Sequence, residues 1–338
     1  MREALRLARR ARGETSPNPM VGAVLVRRGK IIGRGWHRRA GLAHAEVNAI
    51  EDAVKNGHAT RGATLFVTLE PCSTHGRTPP CTQAIVDAGI GRVIVAAPDP
   101  NPSHAGRAFQ KLRRKGVAVE HGLLAEPAAE LNAFFNHWIT NDLPLVTVKA
   151  AMTLDGKIAT ASGESKWITG PSARREGMKL RHEADAIVLG VNTILADDPS
   201  LTVRDIRRPK PEWRGPELRR IVLDPRARIP LDARVLNDEL APATTVVVSA
   251  DAPAKRLAKQ DVTSLLVEGG GETNAAFVEA GLVDRVAFFY APKILGGRDA
   301  RTGVAGEGLP LAAGLPLEKI RWRNLGPDLM LTARVARA

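Results

Sequence analysis

The 338-residue sequence contains few cysteines and few aromatic residues. Its only thiols are Cys72 and Cys81, too few for a disulfide-stapled scaffold or for a zinc site made of three or four cysteines. Aromatic residues make up 4% of the chain, so there are few rings on which nucleic-acid bases could stack. No apolar run approaches the roughly 18 residues of a membrane-spanning helix. We therefore expect a protein of a reducing compartment, the cytoplasm, with neither nucleic acid nor a membrane as its partner.

Positive charge is in excess, with a formal net charge of +13, but it is not gathered into one stretch. Basic residues outnumber acidic ones by 20 to 12 in residues 1–143 and by 29 to 24 in the rest. Nucleic-acid binders usually concentrate such residues on one face, whereas a diffuse excess suits phosphorylated small molecules and nucleotide cofactors. The basic opening segment has the pattern of a first helix, although an organelle-targeting peptide would share its basic character.

The length exceeds what one hydrophobic core normally supports, so it predicts two domains. We place them at 1–143 and 144–338, joined by the short polar linker Asn141–Pro144, and expect a chain split there to give two separately foldable pieces. Helical and strand-like periods alternate in both halves, which indicates α/β architecture. The predicted helices lie near 2–12, 44–56, 82–88, 106–116, 125–138, 171–184 and after 270. The predicted strands lie near 21–27, 30–36, 63–69, 92–97, 117–122, 186–190, 220–223, 244–249, 264–267, 286–295 and 329–335. The second α/β unit is predicted to begin at residues 145–159, LVTVKAAMTLDGKIA. Residues 205–219 are predicted to form a surface loop.

Two short segments, HAEVNAI and PCSTHGRTPPC, carry the parts of a hydrolytic zinc centre. His44, Cys72 and Cys81 supply three ligands and leave the fourth tetrahedral position to water, whose pKa zinc can lower to about 7. Glu46, two residues past the histidine, is placed to move protons without binding the metal. The pattern H-x-E…P-C…C is a signature of zinc deaminases that act on nucleobases. The first half therefore predicts a deaminase.

Four other interpretations of these residues stay open. The zinc could be purely structural, with His75 or His37 as a fourth ligand, or the two cysteines could be buried and metal-free. A nucleic-acid deaminase could use the basic charge for backbone contacts. Such enzymes usually carry two residues between their cysteines, however, and eight intervene here. A non-catalytic zinc scaffold would leave the intact Glu46 without a role.

The strings PNPMVGAVLV, GWHRRAGLAHAE and PCSTHGRTPPC closely resemble the deaminase family of riboflavin biosynthesis. In the second half, VKAAMTLDGKIAT, SGESKWITG, AIVLGVNTILADDPSLTVR, LVEGGGETN and APKILGG follow one another in this order. They resemble the reductase domain that is fused to this deaminase in many bacteria, a relative of dihydrofolate reductase. The resemblance covers about residues 1–330. It implies a cytidine-deaminase-like three-layer domain at the N-terminus and a dihydrofolate-reductase-like domain at the C-terminus, both within the α/β class.

The resemblance also implies the chemistry of each half. The first half would hydrolyse the 2-amino group of a diaminopyrimidinone that carries a ribosyl 5′-phosphate. The second half would use NADPH to reduce the ribosyl group of the deaminated product to ribityl. The expected cofactors are therefore Zn²⁺ and NADPH, and the expected partner is a phosphorylated aminopyrimidine. We also expect the chain to form a homo-oligomer.

The resemblance carries family positions onto residues of this chain. Those expected to hold NADPH are Ala151, Trp167, Thr193, Asp197 and the turn Gly270, Gly271, Glu272, Thr273, Asn274, Ala275 and Ala276. Those expected to hold the substrate of the reductase are Ser165, Arg181, Leu201, Arg204 and Glu268. In the deaminase half, the candidate substrate contacts are Asn18, His37, His75 and Arg77. Arginine suits the 5′-phosphate, because its guanidinium fork binds phosphate oxygens in pairs.

The glycine turn after Glu268 also has a physical rationale of its own, since it joins an apolar strand to a helix. Glycine lets backbone N–H groups approach an anion, and the helix N-terminus adds a favourable dipole. It is not the G-x-G-x-x-G dinucleotide pattern, so it predicts no Rossmann fold.

Lys149, Asp197 and Glu268 are the polar candidates for protonating the ring-opened sugar as hydride arrives. Simpler roles stay open at three positions. Asp197 could belong only to a turn, Trp167 could be a core aromatic residue, and Lys149 could be a solvated strand residue.

Overall fold

The computed structural model describes residues 1–74, 79–102, 104–206, 209–248 and 257–336. By its internal contacts the chain divides into two units. Unit 1 comprises Met1–Leu143 together with Pro209–Pro216, and unit 2 comprises Pro144–Arg208 and Glu217–Ala338. No helix among the described residues is long and apolar enough to cross a membrane.

Unit 1 is built on a five-stranded sheet in the order β2-β1-β3-β4-β5. Its strands are β1 Gly22–Arg27, β2 Lys30–Trp36, β3 Thr64–Leu69, β4 Arg92–Ala97 and β5 Ala118–His121. Its helices are α1 Arg2–Ala8, α2 Ala45–Lys55, α3 Cys81–Asp87, α4 Arg107–Arg114, α5 Ala125–Leu131 and α6 Ala133–Asn141. Strand β1 runs antiparallel to β2 and β3, whereas β3, β4 and β5 are mutually parallel. The carboxyl ends of β3 and β4 therefore lie side by side.

Helix α2 lies unusually close to the sheet because small residues meet on both sides. Ala45, Ala49 and Ala53 recur every four residues and are fully buried, so they form one face of the helix. Opposite them, β2 carries Gly33 and Gly35, where an added Cβ would overlap the helix backbone. This close packing fixes the start of α2, which carries Glu46 and directly follows His44.

Unit 2 contains an eight-stranded sheet in the order β10-β9-β8-β11-β6-β12-β15-β14, and β7 and β13 form a separate pair. Its strands are β6 Leu145–Thr153, β7 Lys157–Ala159, β8 Ala186–Gly190, β9 Arg219–Leu223, β10 Thr244–Val247, β11 Ser264–Val267, β12 Arg285–Ala291, β13 Arg301–Thr302, β14 Leu317–Leu325 and β15 Asp328–Val335. Its helices are α7 Pro171–Glu183, α8 Val191–Asp197, α9 Arg234–Asn237 and α10 Gly271–Glu279. The six strands from β10 to β12 are parallel, and β15 and β14 extend the sheet antiparallel.

Both faces of the larger sheet are covered by apolar side chains. Ala186 and Val188 of β8 belong to one core cluster, and Ile187 and Leu189 belong to another. Because alternate residues of a strand point to opposite faces, the two clusters lie on opposite sides of the sheet. Strands of a parallel sheet that is buried on both faces have continuous apolar sequences, such as AIVLG in β8.

Several local predictions need correction. The single helix predicted at 125–138 is two helices, α5 and α6, which meet at Asn132. The amide of Asn132 accepts from the backbone N–H of Met20 at 2.7 Å and donates to its carbonyl at 3.0 Å, so this residue is held by a distant loop. Helix α8 and strand β14 were not predicted. In the surface loop predicted at 205–219, the described residues up to 217 are exposed or half-buried, and strand β9 begins at Arg219. Residues 209–216 of this loop belong to unit 1.

Candidate active sites

Three elements of unit 1 bring the predicted zinc ligands to one point. His44 immediately precedes α2 and has an extended backbone, Cys81 is the first residue of α3, and Cys72 follows β3 by three residues. His44 Nδ1 lies 3.1 Å from Cys81 Sγ and 3.5 Å from Cys72 Sγ, and all three donor atoms lie within 4.8 Å of one another. One nitrogen and two sulfurs at this spacing fit zinc, whose bonds are about 2.0 Å to nitrogen and 2.3 Å to sulfur.

The described residues add no fourth ligand to this group. His75 and Arg77, predicted to contact substrate, lie outside the described residues, as do the other residues of 75–78. His37 stands edge-on to His44 with ring centroids 5.2 Å apart, and its ring nitrogens are engaged elsewhere. The described donor set is therefore that of an open site.

The thiols of Cys72 and Cys81 shift each other's pKa in opposite directions. The hydrogen bond with the Cys81 thiol lowers the pKa of Cys72 to about 4, and His44 and the Cys81 backbone N–H, 3.1 Å away, add to this lowering. The hydrogen bond to Cys72, together with burial, raises the pKa of the Cys81 thiol. A divalent cation bound by both sulfurs would require both cysteines to be deprotonated, because thiolates are the ligating form.

Glu46 lies in the first turn of α2 and is only 3% exposed. Burial raises the pKa of its carboxyl group, although the neighbouring His44 opposes the shift. A carboxyl group with a raised pKa exchanges protons closer to neutral pH, as a general acid–base requires.

Asn18 and His37 form a hydrogen-bonded pair beside the ligands. Asn18 Nδ2 donates to His37 Nε2 at 3.1 Å, and His37 Nδ1 donates to the carbonyl of Ala43 at 3.2 Å. Burial lowers the pKa of His37 to about 4, so its ring is neutral at pH 7 and can accept from Asn18. The structure thus brings these two predicted substrate contacts together.

A pocket of about 130 Å³ opens beside Cys72. It is lined by Glu70, Pro71, Cys72, Ser73, Thr74, Asp99 and His104. Asp99 and His104 were not predicted as site residues. They follow β4, whose carboxyl end lies beside that of β3, and this adjacency of parallel strand ends was the available signal.

Glu70 holds the loop after β4 in place. Its Oε2 accepts from the backbone N–H of Asp99 at 3.1 Å and of Gly106 at 2.9 Å, and its Oε1 accepts from Ala108 at 3.0 Å. The carboxylate is 6% exposed, so these three bonds replace its hydration. Asp99 and the start of α4 are thereby fixed against the pocket.

In unit 2, Lys149, Arg181 and Glu268 form one charged cluster. Arg181 donates to both oxygens of Glu268 at 2.9 Å, and Lys149 Nζ lies 3.4 Å from Glu268 Oε2. Burial would raise the pKa of Glu268, but the attraction of Lys149 and Arg181 lowers it to about 2. Glu268 is therefore an anion at neutral pH. Lys149 is 20% exposed and paired, which contradicts a solvated strand role.

The glycine turn lies at the end of β11, next to the end of β8. Helix α10 begins at Gly271 with no side-chain hydrogen bond capping its N-terminus. A Cβ on Gly269 would overlap Thr273, and one on Gly190 would lie 2.6 Å from Thr273 Oγ1. The uncapped N–H groups and the absence of side chains fit a cofactor phosphate.

The other predicted residues of unit 2 are found in varied settings. Trp167 is 65% exposed and faces the guanidinium of Arg174 at 4.7 Å, so it is not a core residue. Asp197 ends α8 and pairs with Lys166 at 2.9 Å, while the next residue, Asp198, accepts from the backbone of Arg234 at 2.8 Å. Of the remaining positions, Leu201 is buried, Ala151, Ser165 and Thr193 are half-buried, and Arg204 is exposed.

Two family models match the chain. Residues 1–97 match the cytidine and deoxycytidylate deaminase zinc-binding region, and residues 144–331 match the RibD C-terminal domain. The riboflavin biosynthesis protein RibD of Aquifex aeolicus is 43% identical over 98% of this chain and 96% of its own length. This chain belongs to the RibD family.

Two solved structures of the family are similar to this chain over 99% of its length. A RibD of Acinetobacter baumannii is 37% identical, with a TM-score of 0.90 over 99% of this chain and 98% of its own. The diaminohydroxyphosphoribosylaminopyrimidine deaminase/5-amino-6-(5-phosphoribosylamino)uracil reductase of Thermotoga maritima is 35% identical, with a TM-score of 0.87 over 99% and 97%.

The family membership settles several predictions. The chain is a bifunctional enzyme of riboflavin biosynthesis, a deaminase joined to a reductase. The predicted fold class, a cytidine-deaminase-like domain followed by a dihydrofolate-reductase-like domain, is confirmed. Its cofactors are zinc, for which His44, Cys72 and Cys81 form the fitting group, and NADPH.

Proposed function

We propose that unit 1 removes the 2-amino group of a diaminopyrimidinone bearing a ribosyl 5′-phosphate, and that unit 2 reduces the deaminated product. The observation that carries this proposal is the convergence of His44, Cys72 and Cys81 beside the buried Glu46. The activities named for the Thermotoga maritima relative support the choice of substrates.

In unit 1, three side chains would bind zinc and a fourth would transfer protons. His44, Cys72 and Cys81 would hold zinc, which when bound makes a water molecule acidic enough to act as a nucleophile at neutral pH. Glu46 would carry protons to the ring nitrogen and to the departing ammonia. Asn18 and His37 would contact the pyrimidine, and Asp99 and His104 would line its pocket.

In unit 2 the electrostatics favour one of the candidates for the proton donor. Three candidates arose from the sequence: Lys149, Asp197 and Glu268. Glu268, with its pKa lowered to about 2, carries no proton to give at neutral pH. Asp197 is paired with the exposed Lys166, outside the Lys149 cluster. Lys149 is the remaining candidate and lies beside Glu268, so we assign it the proton that accompanies hydride arriving at carbon 1 of the ring-opened sugar.

NADPH would supply that hydride, and unit 2 provides a place for its phosphates at the N-terminus of α10. Gly270, Gly271 and Thr273 would present backbone N–H groups there. Arg181 and Glu268 are fixed by their paired bonds, so they would orient the substrate without changing charge.

Product analysis tests the assignment directly. The full-length enzyme is incubated with the diaminopyrimidinone phosphate, with and without NADPH, and the products are identified by mass spectrometry. We expect a mass increase of about 1 Da without NADPH, as NH is replaced by O, and a further gain of about 2 Da when NADPH is present. A product reduced but not deaminated would contradict the proposed order of the steps.

Two coarser expectations complete the proposal. Free thiol ligands suit a reducing compartment, which supports a cytoplasmic location. The expected homo-oligomer is tested by light scattering on the purified enzyme.

A further inference from the structure

Residues 209–216 belong to unit 1, although they lie within the range matched by the RibD C-terminal domain. We call them the 209–216 segment. They include one turn of 3-10 helix, Pro211–Trp213, followed by Arg214, Gly215 and Pro216. Their contacts in unit 1 show what they could do.

The first contact joins Gly215 to Glu14. Glu14 is 1% exposed, and its Oε2 accepts from the backbone N–H of Gly215 at 2.6 Å. A Cβ at position 215 would lie 2.7 Å from the carbonyl oxygen of Glu14 and 2.9 Å from its carbonyl carbon. Any side chain at position 215 would therefore push the two backbones apart.

The second contact is a stack of rings and guanidinium groups. The guanidinium of Arg38 lies 4.7 Å from the ring centroid of Trp213 and 5.1 Å from that of Trp36. Arg10 faces Trp36 at 4.1 Å, and Lys210 lies 5.4 Å from the ring of Trp213. Such cation–π pairs are attractive and depend on the position of the ring.

The two contacts reach the two stretches of backbone that present Asn18 and His37. Glu14 begins the turn that leads to Asn18, whose backbone N–H donates to Thr15 at 2.8 Å. Arg38 and Trp36 are the sequence neighbours of His37 on either side. Asn18 and His37 are joined by their own 3.1 Å hydrogen bond, beside His44. The 209–216 segment therefore contacts Glu14, four residues before Asn18, and Arg38, the residue after His37.

We propose that the 209–216 segment is a positioning element of the deaminase site, which sets the Asn18–His37 pair against the bound pyrimidine. The proposal rests on the assignment of Asn18 and His37 as substrate contacts. Weakening the segment should raise the KM of deamination and leave zinc binding intact, since none of its residues belongs to the metal group.

The test uses the full-length enzyme with three substitutions in the two contacts: Trp213→Ala, Arg38→Met and Gly215→Ala. We expect the KM of deamination to rise about three- to tenfold in each, the range of one or two cation–π or hydrogen-bond contacts. Zinc content and the reduction of pre-deaminated substrate should stay at wild-type levels. Trp213→Phe keeps a ring in place and should restore most of the lost affinity.

A double-mutant cycle tests whether Trp213 and Arg38 act through their contact with each other. If Trp213 acts through Arg38, the double variant should show a KM close to that of either single variant. Trp322→Ala is the matched control, because Trp322 is a 57% exposed tryptophan on β14 of unit 2. An unchanged KM in Trp213→Ala, an equal rise in Trp322→Ala, or loss of zinc would each overturn the proposal.

Asn18→Ala separates this inference from the function on which it rests. If Asn18→Ala raises KM while the segment variants do not, the positioning role is wrong and the substrate contact stands. If Asn18→Ala leaves KM unchanged, the assignment of the substrate contact fails, and the positioning role fails with it.

Discussion

Glu46 is the residue on which the deaminase chemistry depends most directly. It is buried beside the three zinc ligands, and burial raises its pKa. Glu46→Gln keeps the size and removes the titrating group, so deaminase kcat should fall by about 10²- to 10⁴-fold. Zinc content and reductase turnover should not change. Glu51→Gln, at an exposed position of the same helix, is the control and should retain full activity. Wild-type turnover in Glu46→Gln would remove this carboxylate from the mechanism.

Lys149 is the corresponding residue of the reductase. If it protonates the sugar, Lys149→Met should lower the rate of hydride transfer by about 10²- to 10⁴-fold. The measurement is single-turnover oxidation of NADPH with pre-deaminated substrate, which separates the chemical step from binding. Lys179→Met controls for loss of a positive charge, because Lys179 is 54% exposed on α7. A Lys149→Met enzyme that loses only affinity would make this lysine a binding group.

Glu268 predicts a pH dependence of stability in unit 2. Its folded pKa of about 2 lies below the ordinary value of a glutamate, so its ion pairs stabilise the fold fully above about pH 4.5. That contribution is lost as the pH falls from 4.5 towards 2, where the carboxylate takes up a proton. Glu268→Gln should therefore unfold more easily than wild type at pH 6, and the difference should shrink at pH 3.

The measurement for Glu268 is the free energy of unfolding from urea titrations at pH 6, 4 and 3. Glu272→Gln, at an exposed position in α10, should behave as wild type at all three values. A difference between wild type and Glu268→Gln that stays constant with pH would contradict the lowered pKa.

At the scale of elements, Glu70 ties the end of β3 to the start of α4. Its three backbone hydrogen bonds would be lost in Glu70→Ala, which removes the partner of the buried N–H of Ala108 and of the half-buried N–H groups of Asp99 and Gly106. The cost should be about 1–3 kcal/mol in unfolding free energy, and the KM of deamination should rise because Asp99 and His104 line the pocket. Glu120→Ala serves as the comparison, since Glu120 is 58% exposed. Equal unfolding free energies of the two variants would show that the three hydrogen bonds make no net contribution to stability.

The sequence was most informative where a period or a motif is local. The apolar runs of β1, β3, β4 and β8 and the alanine face of α2 are visible in the residues themselves. Strand β14 was missed because four residues of LEKIRWRNL are charged and eight of the nine are exposed, so no buried apolar run marks it. The break between α5 and α6 was missed because Met20, which holds Asn132, lies 112 residues away.

In the active sites too, local motifs were predictable from the sequence and long-range contacts were not. The zinc ligands and Glu46 follow from two motifs, because ligand type and spacing carry the chemistry. Lys149, Arg181 and Glu268 were named one by one, but their ion pairs join positions up to 119 residues apart and needed the fold. The same holds for Glu14 and Gly215, which are 201 residues apart.

At the scale of the whole molecule, the two units predict how the chain tolerates division. Each has its own sheet and its own buried core, so cutting between Leu143 and Pro144 should give two folded pieces. The piece 144–338 should reduce pre-deaminated substrate with NADPH as the intact enzyme does. The piece 1–143 should retain zinc and need no NADPH, but it lacks the 209–216 segment. We therefore expect it to deaminate with a KM about three- to tenfold above that of the intact chain, as expected for the loss of a few weak contacts.

Adding the missing segment distinguishes its loss from general damage. The peptide KPEWRGPE, which spans Lys210–Glu217, is supplied to the 1–143 piece at millimolar concentration, and a peptide with alanine at the tryptophan position serves as control. Because the segment docks through one ring and one close backbone approach, the native peptide should lower KM towards the intact value. The alanine peptide should have little effect. If both peptides act equally, or if the 1–143 piece already matches the intact enzyme without either, residues 209–216 have no role in deamination.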